Sequence, residues 1–378
     1  MKKFGKVFTI VTAFLLFSIT GIVLTSCGKD ANAAQKIHEW SNWEMLTPAS
    51  CTEPEVDIRH WTDDPSHFET KNVGEALGHD YEWTITKPAT ETIDGVEQYM
   101  CDRCGDIDET KGSHTLYATG TDGLIFQSAG NAYVVTEYNG TNPNVFIPAY
   151  HYDTNANKYL AVVGVLGGTG PTDGAFRNNS VIENLTFTSC VTNSTMTIGI
   201  YAFRGCSNLK TVIISDRVSS IGLSSFMGCG SLESITVPYV GDTGMDVPNQ
   251  HTNFGYMFGA SDWASQTAYT FPASLKTVII TGGTGIAQNA FCNCSSLETL
   301  VIPTSMKNIY VNALLGCNSL NSVLYCGTPE DWDTLFITGL PKTATVYFYS
   351  EFQPVSAESD YLYWHWLDNS IPTVWDTL

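Results

Sequence analysis

The residues of this chain best suited to hold a metal or to react are a few of its 11 cysteines. Cys101 and Cys104 stand in a Cys-x-x-Cys spacing that ends in Gly105, which lets two thiolates reach one ion from a single turn. Zinc takes four ligands, so this pair needs two more, and Cys51 with a histidine such as His79 or His114 is the candidate set. A local disulfide and a reduced dithiol are competing readings of the same spacing. Cys27 differs in kind: it is a thiol placed directly after an apolar run and the small residues Thr25 and Ser26. Cys206, Cys229, Cys294 and Cys317 each follow a large apolar residue by three positions, which reads as small buried core residues. Nothing marks a catalytic centre, since neither His-Glu-x-x-His nor Gly-x-Ser-x-Gly occurs. Gly167-Gly-Thr-Gly170 and Gly282-Gly-Thr-Gly285 lack the Lys-Ser/Thr of a phosphate loop and read as turns. Carboxylates are plentiful, but no two are singled out as a glycosidase pair. Asp242, Asp246 and Asp262 have the chemistry for Ca²⁺ and read as solvated loop acids. The expectation is a non-enzymatic protein that requires no cofactor, zinc at Cys101 and Cys104 being the one the sequence raises.

What must position these residues is β-rich. The chain has 378 residues, 43% hydrophobic and only 15% charged, with 32 glycines. That composition suits strands and turns better than long helices. Eighteen basic residues against 38 acidic ones give a formal charge of −20. A surface of that sign repels phosphate backbones, which argues against nucleic-acid binding. It is also repelled by anionic membrane surfaces, so attachment to a bilayer needs a covalent or inserted anchor.

The first residues supply such an anchor. Lys2, Lys3 and Lys6 precede the nearly uncharged apolar run from Val7 to Val23, an export-signal pattern. The run ends in Leu24-Thr25-Ser26-Cys27-Gly28, which resembles the lipobox of bacterial lipoproteins. The resemblance implies cleavage before Cys27 and acylation of its thiol, hence an exported protein lipid-anchored at the cell surface. An uncleaved membrane anchor is the rival reading. Residues 27–37 then read as a flexible linker. Residues 38–114 are rich in Trp, His and Glu and contain two degenerate copies of one pattern. His38-Glu-Trp40 and Pro48-Ala-Ser-Cys51-Thr-Glu echo His79-Asp-Tyr-Glu-Trp83 and Pro88-Ala-Thr90-Glu-Thr. This resembles small Cys- and aromatic-containing repeats of surface proteins in clostridia-like bacteria. The first copy keeps Cys51 but lacks the Cys-x-x-Cys, and the second keeps the pair but has Thr90 in place of the single cysteine, so the two could share one set. Trp40, Trp43, Trp61 and Trp83 are read as this module's own core in preference to a sugar or protein contact.

Residues 115–165 read as a β lead-in and N-terminal cap, with a hairpin around Ser128-Ala-Gly-Asn. The strongest pattern comes next. Leu209-Lys-Thr-Val212-Ile-Ile214 recurs from Leu232, Leu275, Leu297 and Leu320, with a weaker copy from Ile182. Six residues before five of these copies stands Phe176, Phe203, Phe226, Phe291 or Leu314, and five residues before the last four of those lies Ile198, Ile221, Ile286 or Ile309. The spacing is 23 residues from Phe203 to Phe226 and again from Phe291 to Leu314, which makes a solenoid. The unit Ala202-Phe203-Arg-Gly-Cys206-Ser-Asn-Leu209-Lys-Thr-Val212 closely resembles the BspA-like leucine-rich repeats of bacterial surface proteins. The expected architecture is therefore a β-rich solenoid over 166–349, with an insertion at 240–273 and a C-terminal cap over 350–378.

The resemblance implies adhesion to host or neighbouring-cell proteins. A structural envelope protein without soluble ligand, or a glycan-binding accessory to carbohydrate degradation, is the alternative. Between the anchors of each strand, one outward column reads Asn184, Thr211, Ser234, Thr277, Thr299 and Ser322. The next column reads Thr186, Ile213, Thr236, Ile279, Val301 and Leu324. The first of these columns, with Tyr256 and Trp263 of the insertion, is the candidate contact surface for a protein partner or a glycan. Solvated cross-strand Thr/Ser pairs are the plainer reading of any single position.

Overall fold

A computed structural model describes residues 38–170, 172–188, 195–242, 252–262, 265, 271–353, 361–368 and 371–375. The chain divides into two compact units, Met1–His79 and Asp80–Leu378. The stretch 38–114 thus resolves into two small sheets that belong to different units. No helix among the described residues is long and apolar enough to cross a membrane.

In the first unit, Glu44–Thr47, Glu55–Trp61 and Asp64–Val73 form one antiparallel sheet. Only Cys51 is buried among the described residues of this unit. Its tryptophans therefore do not make the core that the sequence favoured. They cover one another and nearby cations at half exposure instead. The Trp61 ring is stacked between His38 at 4.0 Å and His67 at 4.3 Å. The Arg59 guanidinium lies 4.7 Å from the ring centres of both Trp40 and Trp43, and Lys71 Nζ lies 4.2 Å from that of Trp43. Such contacts are each worth about 0.5–1 kcal/mol at exposed sites, far less than burial of a Trp.

The second unit opens with the other copy, Tyr81–Lys87, Gly95–Cys101 and Ser113–Leu116, again antiparallel. Three hydrogen bonds tie it to the lead-in. Ala118 N–H donates to Asp94 Oδ1 at 2.7 Å, Thr119 N–H to the Thr90 carbonyl and Gly120 N–H to the Glu91 carbonyl.

The solenoid is a ladder. Strands Asn144–Ile147, Asn184–Phe187, Thr211–Ile213, Ser234–Val237, Thr277–Ile280, Thr299–Ile302, Ser322–Tyr325, Thr345–Tyr349 and Leu362–Leu367 pair in parallel. Ile371–Val374 closes this ten-stranded sheet antiparallel. The register is that of the repeat: Leu185, Val212, Ile235, Val278, Leu300 and Val323 are successive partners. All six are fully buried, and the 23-residue period is the distance along the chain between the stacked side chains of Val212 and Ile235 and of Leu300 and Val323. The lead-in does more than cap. Tyr133–Tyr138 and Lys158–Val165 pair in parallel and continue through Met196–Ile198 to Val218–Ile221, a second ladder that carries Ile198 and Ile221. Ile286, Ile309 and Ile337 form a shorter one.

Two left-handed backbone positions, four residues apart, turn most of the coils: Gly174 and Asn178, Tyr201 and Gly205, Ser224 and Gly228, Asn289 and Asn293, and Asn312 and Gly316. Glycine and asparagine tolerate this region best, which is why they recur there. A Cβ on Gly316 would lie 2.7 Å from Asn293 Oδ1 of the coil before, so close approach adds to the positive φ.

The 240–273 segment is not simply a loop budding from its coil. Phe254, Met257, Phe258 and Phe271 are buried in the main core. Phe254 stacks on Phe291 at 4.6 Å, while Phe226 N–H donates to the Met257 carbonyl and Phe254 N–H to the Ala290 carbonyl. The 3-10 helix Phe254–Phe258 thus takes the aromatic place of a coil between those of Phe226 and Phe291.

Candidate functional site

The six positions of the first column lie in register on the main sheet, and all six are half-buried. The column starts one rung earlier than the repeat pattern indicates, because Asn184 Nδ2 donates to Asn144 Oδ1 at 2.7 Å. Of the two insertion residues read as part of this surface, Trp263 lies outside the described residues. Tyr256 sits beside Ser224 on the turn side of its coil, where its carbonyl accepts from Ser224 N–H. It is therefore separated from the strand column. Cys27 and Asp246 also lie outside the described residues.

The second column divides the face in two. Ile279, Val301 and Leu324 are buried with Trp364, and Cys326, Tyr347 and Trp366 pack against them. The Trp364 indole is fully buried and donates to the Tyr325 carbonyl at 2.9 Å. The C-terminal half of the apolar column is therefore occupied by the protein itself. Thr186, Ile213 and Thr236 remain open, and Ile213 is 39% exposed.

At this open end lies a groove of about 700 Å³. Its floor is Phe146, Thr186 and Ile213, one residue from each of three neighbouring strands. Its wall comes from the second small sheet and the turn after it, with Lys87, Asp94 and Tyr117 as the chemically distinctive groups. Tyr117 is held in place by stacking on Tyr150 at 4.0 Å. Asp94 is fixed by the Ala118 N–H. The groove thus offers an apolar floor, one cation, one anion and an aromatic edge, a mixture suited to recognition of an extended polymer. These wall residues stand far from the repeats in sequence, and only Thr186 and Ile213 had a periodic signal.

The glycine loops hold no phosphate cradle. In 167–170, Asp173 takes the donors that a phosphate would need: Thr169 N–H at 2.9 Å, the Thr169 hydroxyl at 2.8 Å and Gly170 N–H at 2.9 Å. Those bonds hold the Asp173 carboxyl below its usual range. The second loop runs into the strand Gly285–Ile286.

The repeat cysteines are core residues. Cys206, Cys229, Cys294 and Cys317 are almost fully buried, and three of them donate to the carbonyl of the aromatic residue one coil earlier. The distances are 3.1 Å from Cys206 to Phe176, 3.4 Å from Cys229 to Phe203 and 3.2 Å from Cys317 to Phe291. Burial pushes the Cys317 thiol up to about 12 and the Cys294 thiol well above its ordinary value. Cys229 is raised chiefly by its contact with Cys206, and then by burial. All three are therefore poor nucleophiles and poor ligands at neutral pH.

The candidate metal ligands fall into two pairs. Within the first unit, Cys51 Sγ and a ring nitrogen of His79 lie within 4.8 Å of one another. Within the second, so do the Sγ atoms of Cys101 and Cys104. His114 is engaged elsewhere, stacked on Trp83 at 3.7 Å with Nδ1 3.3 Å from Glu97 Oε2.

The parallel ladders and stacked coils define the class: a leucine-rich-repeat solenoid. Its particular kind is given by comparison with known families, because the model described as the BspA type leucine rich repeat region matches residues 172–243 and 264–337 in six copies. The solenoid of this chain is a BspA-type leucine-rich-repeat array. Among solved structures, the T. pallidum leucine rich repeat protein TpLRR is 21% identical, covering 61% of this chain and 86% of that chain with a TM-score of 0.30. A leucine-rich repeat protein from Bacteroides capillosus is 24% identical over 32% of this chain and 83% of its own, with a TM-score of 0.25. A leucine rich cell surface protein from Faecalibacterium prausnitzii is 17% identical over 59% and 98%, with a TM-score of 0.19. No curated protein matches the chain.

Proposed function

We propose that this chain is an exported, surface-displayed binding protein, anchored to the membrane through lipid on Cys27, that recognises a protein partner in the groove at the open end of its main sheet. The observation that carries the reading is the division of the strand face. The apolar column is covered by Trp364 at one end and left open over Thr186, Ile213 and Thr236 at the other. The open end is the one flanked by Lys87, Asp94 and Tyr117. Adhesion to a host or neighbouring-cell surface protein is the concrete form of this function, since repeat solenoids present extended surfaces without catalytic machinery. A glycan ligand is the second reading, favoured by the half-exposed rings of Trp40, Trp43 and Trp61 in the first unit.

The test is a binding screen of the chain against matrix proteins, mucins and glycans, repeated with Ile213→Glu and Tyr117→Ala. The expected result is saturable binding to a protein that weakens at least about tenfold in Ile213→Glu, a loss of ~1.4 kcal/mol or more. Binding that ignores both substitutions but falls with Trp40→Ala would move recognition to the first unit. The absence of any saturable ligand would sink the adhesin reading.

A further inference from the structure

We propose that a second hollow beside the groove, walled by Phe126, Tyr150, Tyr152 and Tyr159 and edged by Glu91 and Asp122, binds the cationic head of a lysine or arginine side chain presented by a protein. That this protein is the partner seated in the groove rests on the function proposed above; the preference of the hollow for a cation does not.

Three observations carry this. The first is the aromatic wall. The hollow has a volume of about 360 Å³ and opens to solvent. Its rings are held by one another. Tyr150 stacks on Tyr117 at 4.0 Å, Tyr159 meets Tyr117 edge-on at 5.3 Å, and Tyr152 meets Tyr159 edge-on at 5.1 Å. Phe126 stacks on His151 at 4.1 Å. The Tyr152 hydroxyl donates to Asn157 Oδ1 at 2.6 Å, which fixes a ring that is 42% exposed. Aromatic walls attract ammonium and guanidinium groups through the ring quadrupole, and rings fixed beforehand lose little freedom when the cation enters.

The second is charge. Glu91 and Asp122 line the hollow, and none of its lining residues is a lysine or arginine. Burial holds His151 below its ordinary value, so its ring is uncharged at neutral pH and does not repel a cation. The two acids converge. Tyr138 is pushed up first by burial and also by the charges of both Glu91 and Asp122. The adjoining groove, which has Lys87 as well as Asp94, carries no such bias.

The third is that these two carboxylates are uncommitted. Elsewhere in the same unit, Asp94 accepts from Ala118 N–H, Asp153 from the Tyr133 hydroxyl and Asp173 from Thr169. Among the described residues, the side chains of Glu91 and Asp122 take part in no hydrogen bond or ion pair. Their backbones are nevertheless fixed. The Glu91 carbonyl accepts from Gly120 N–H at 3.1 Å. Asp122 stands between buried Thr121 and Gly123, where a Cβ would lie 2.5 Å from the Gly140 nitrogen. Acids held in place without an internal partner keep their charge for a ligand.

The hollow and the groove share a wall. Ala118 lines both, and Tyr117 of the groove stacks on Tyr150 of the hollow. One extended segment can therefore set an apolar residue over Ile213 and a basic residue here, which suits a partner drawn to a chain of formal charge −20.

The experiment titrates the full-length chain in detergent with trilysine by isothermal calorimetry, beside side-chain-acetylated trilysine and spermidine. The expected result is saturable binding at one site, abolished by acetylation and weakened about tenfold or more by Tyr152→Ala and by Asp122→Asn. Both positions are exposed, so neither change disturbs a packed core. Tyr152→Phe keeps the ring and should bind as the unaltered chain does. Glu351→Gln removes one charge from an exposed position elsewhere and should leave binding unchanged. Ile213→Ala should leave trilysine binding unchanged too, so failure of the groove as a protein site and failure of this hollow are read separately. Equal losses in Asp122→Asn and Glu351→Gln, or binding indifferent to Tyr152→Ala, would reduce the effect to diffuse attraction and overturn the site. Tighter binding of spermidine than of trilysine would overturn its assignment to a protein side chain.

Discussion

At the scale of single residues, the repeat cysteine is explained by one hydrogen bond. The carbonyl of each aromatic residue accepts a backbone N–H from its own turn, as Phe203 does from Cys206, and the cysteine of the next coil adds a second donor to it. Cys229 supplies one to Phe203 through a side chain small enough to sit beneath Phe226. Cys229→Ala removes this second donor and should cost about 0.5–1.5 kcal/mol, whereas Cys229→Ser keeps a donor and should cost less; urea unfolding of both variants checks the order. The same burial fixes a pH dependence. The Cys317 thiol is held up to about 12 in the folded chain, above the ~8.5 of an exposed thiol. An acid whose folded value is raised contributes stability below its unfolded value and loses it as pH rises. Between those two values the unfolded chain binds fewer protons, so stability falls with pH. Replacing Cys317 by Ala should flatten the decline between pH 9 and 11 by up to ~1.4 kcal/mol per pH unit, measured by denaturation at fixed temperature. An unchanged slope would show that this thiol ionises as readily in the fold as out of it.

At the scale of elements, local repetition was legible and distant coverage was not. The strand Thr211–Ile213, its partner Ser234–Val237, and the buried status of Phe203 and Phe226 are all set by apolar spacing, because each coil meets only its neighbours. The family of the repeat could be read for the same reason. Phe254 escaped the pattern because its coil spans 43 residues from Leu232 to Leu275, and the aromatic residue no longer stands six positions before a leucine. The covered half of the face escaped it because Trp364 reaches Ile279, Val301 and Leu324 on strands far earlier in the chain. In the candidate site, Thr186 and Ile213 were visible as column members, but Lys87, Asp94 and Tyr117 carry no periodic signal. The tryptophans of the first unit pack on cations and histidines instead of forming a core, an arrangement that has no period in the sequence. The cap makes a prediction of its own. Trp364→Ala should destabilise the C-terminal rungs by about 3–5 kcal/mol and bare an apolar strip on the sheet face. A loss of protection confined to Ser322–Tyr325 and Thr345–Tyr349, together with concentration-dependent self-association in sedimentation, is the expected signature. A variant that remains monomeric with full protection there would assign the cover to another segment.

At the scale of the whole molecule, the formal charge of −20 and the nearly balanced groove act at different moments of an encounter. The long-range field decides how often a charged partner arrives, and it decays over ~8–10 Å at ordinary salt. On the proposed function, contacts at Ile213 and Tyr117 decide how long a docked partner stays, because affinity differences among interface variants lie mostly in dissociation. A partner that suits this chain therefore carries net positive charge outside the contact and an apolar or aromatic segment within it. Association measured by surface-coupled kinetics should slow on the order of tenfold as salt is raised from low to well above physiological strength. The dissociation rate should change little over the same range. Ile213→Glu should show the reverse pattern, with the same salt dependence of association and a dissociation rate raised about tenfold or more. If salt instead governed dissociation, the contact itself would be ionic, and Lys87 and Asp94 rather than the apolar floor would be its energetic centre.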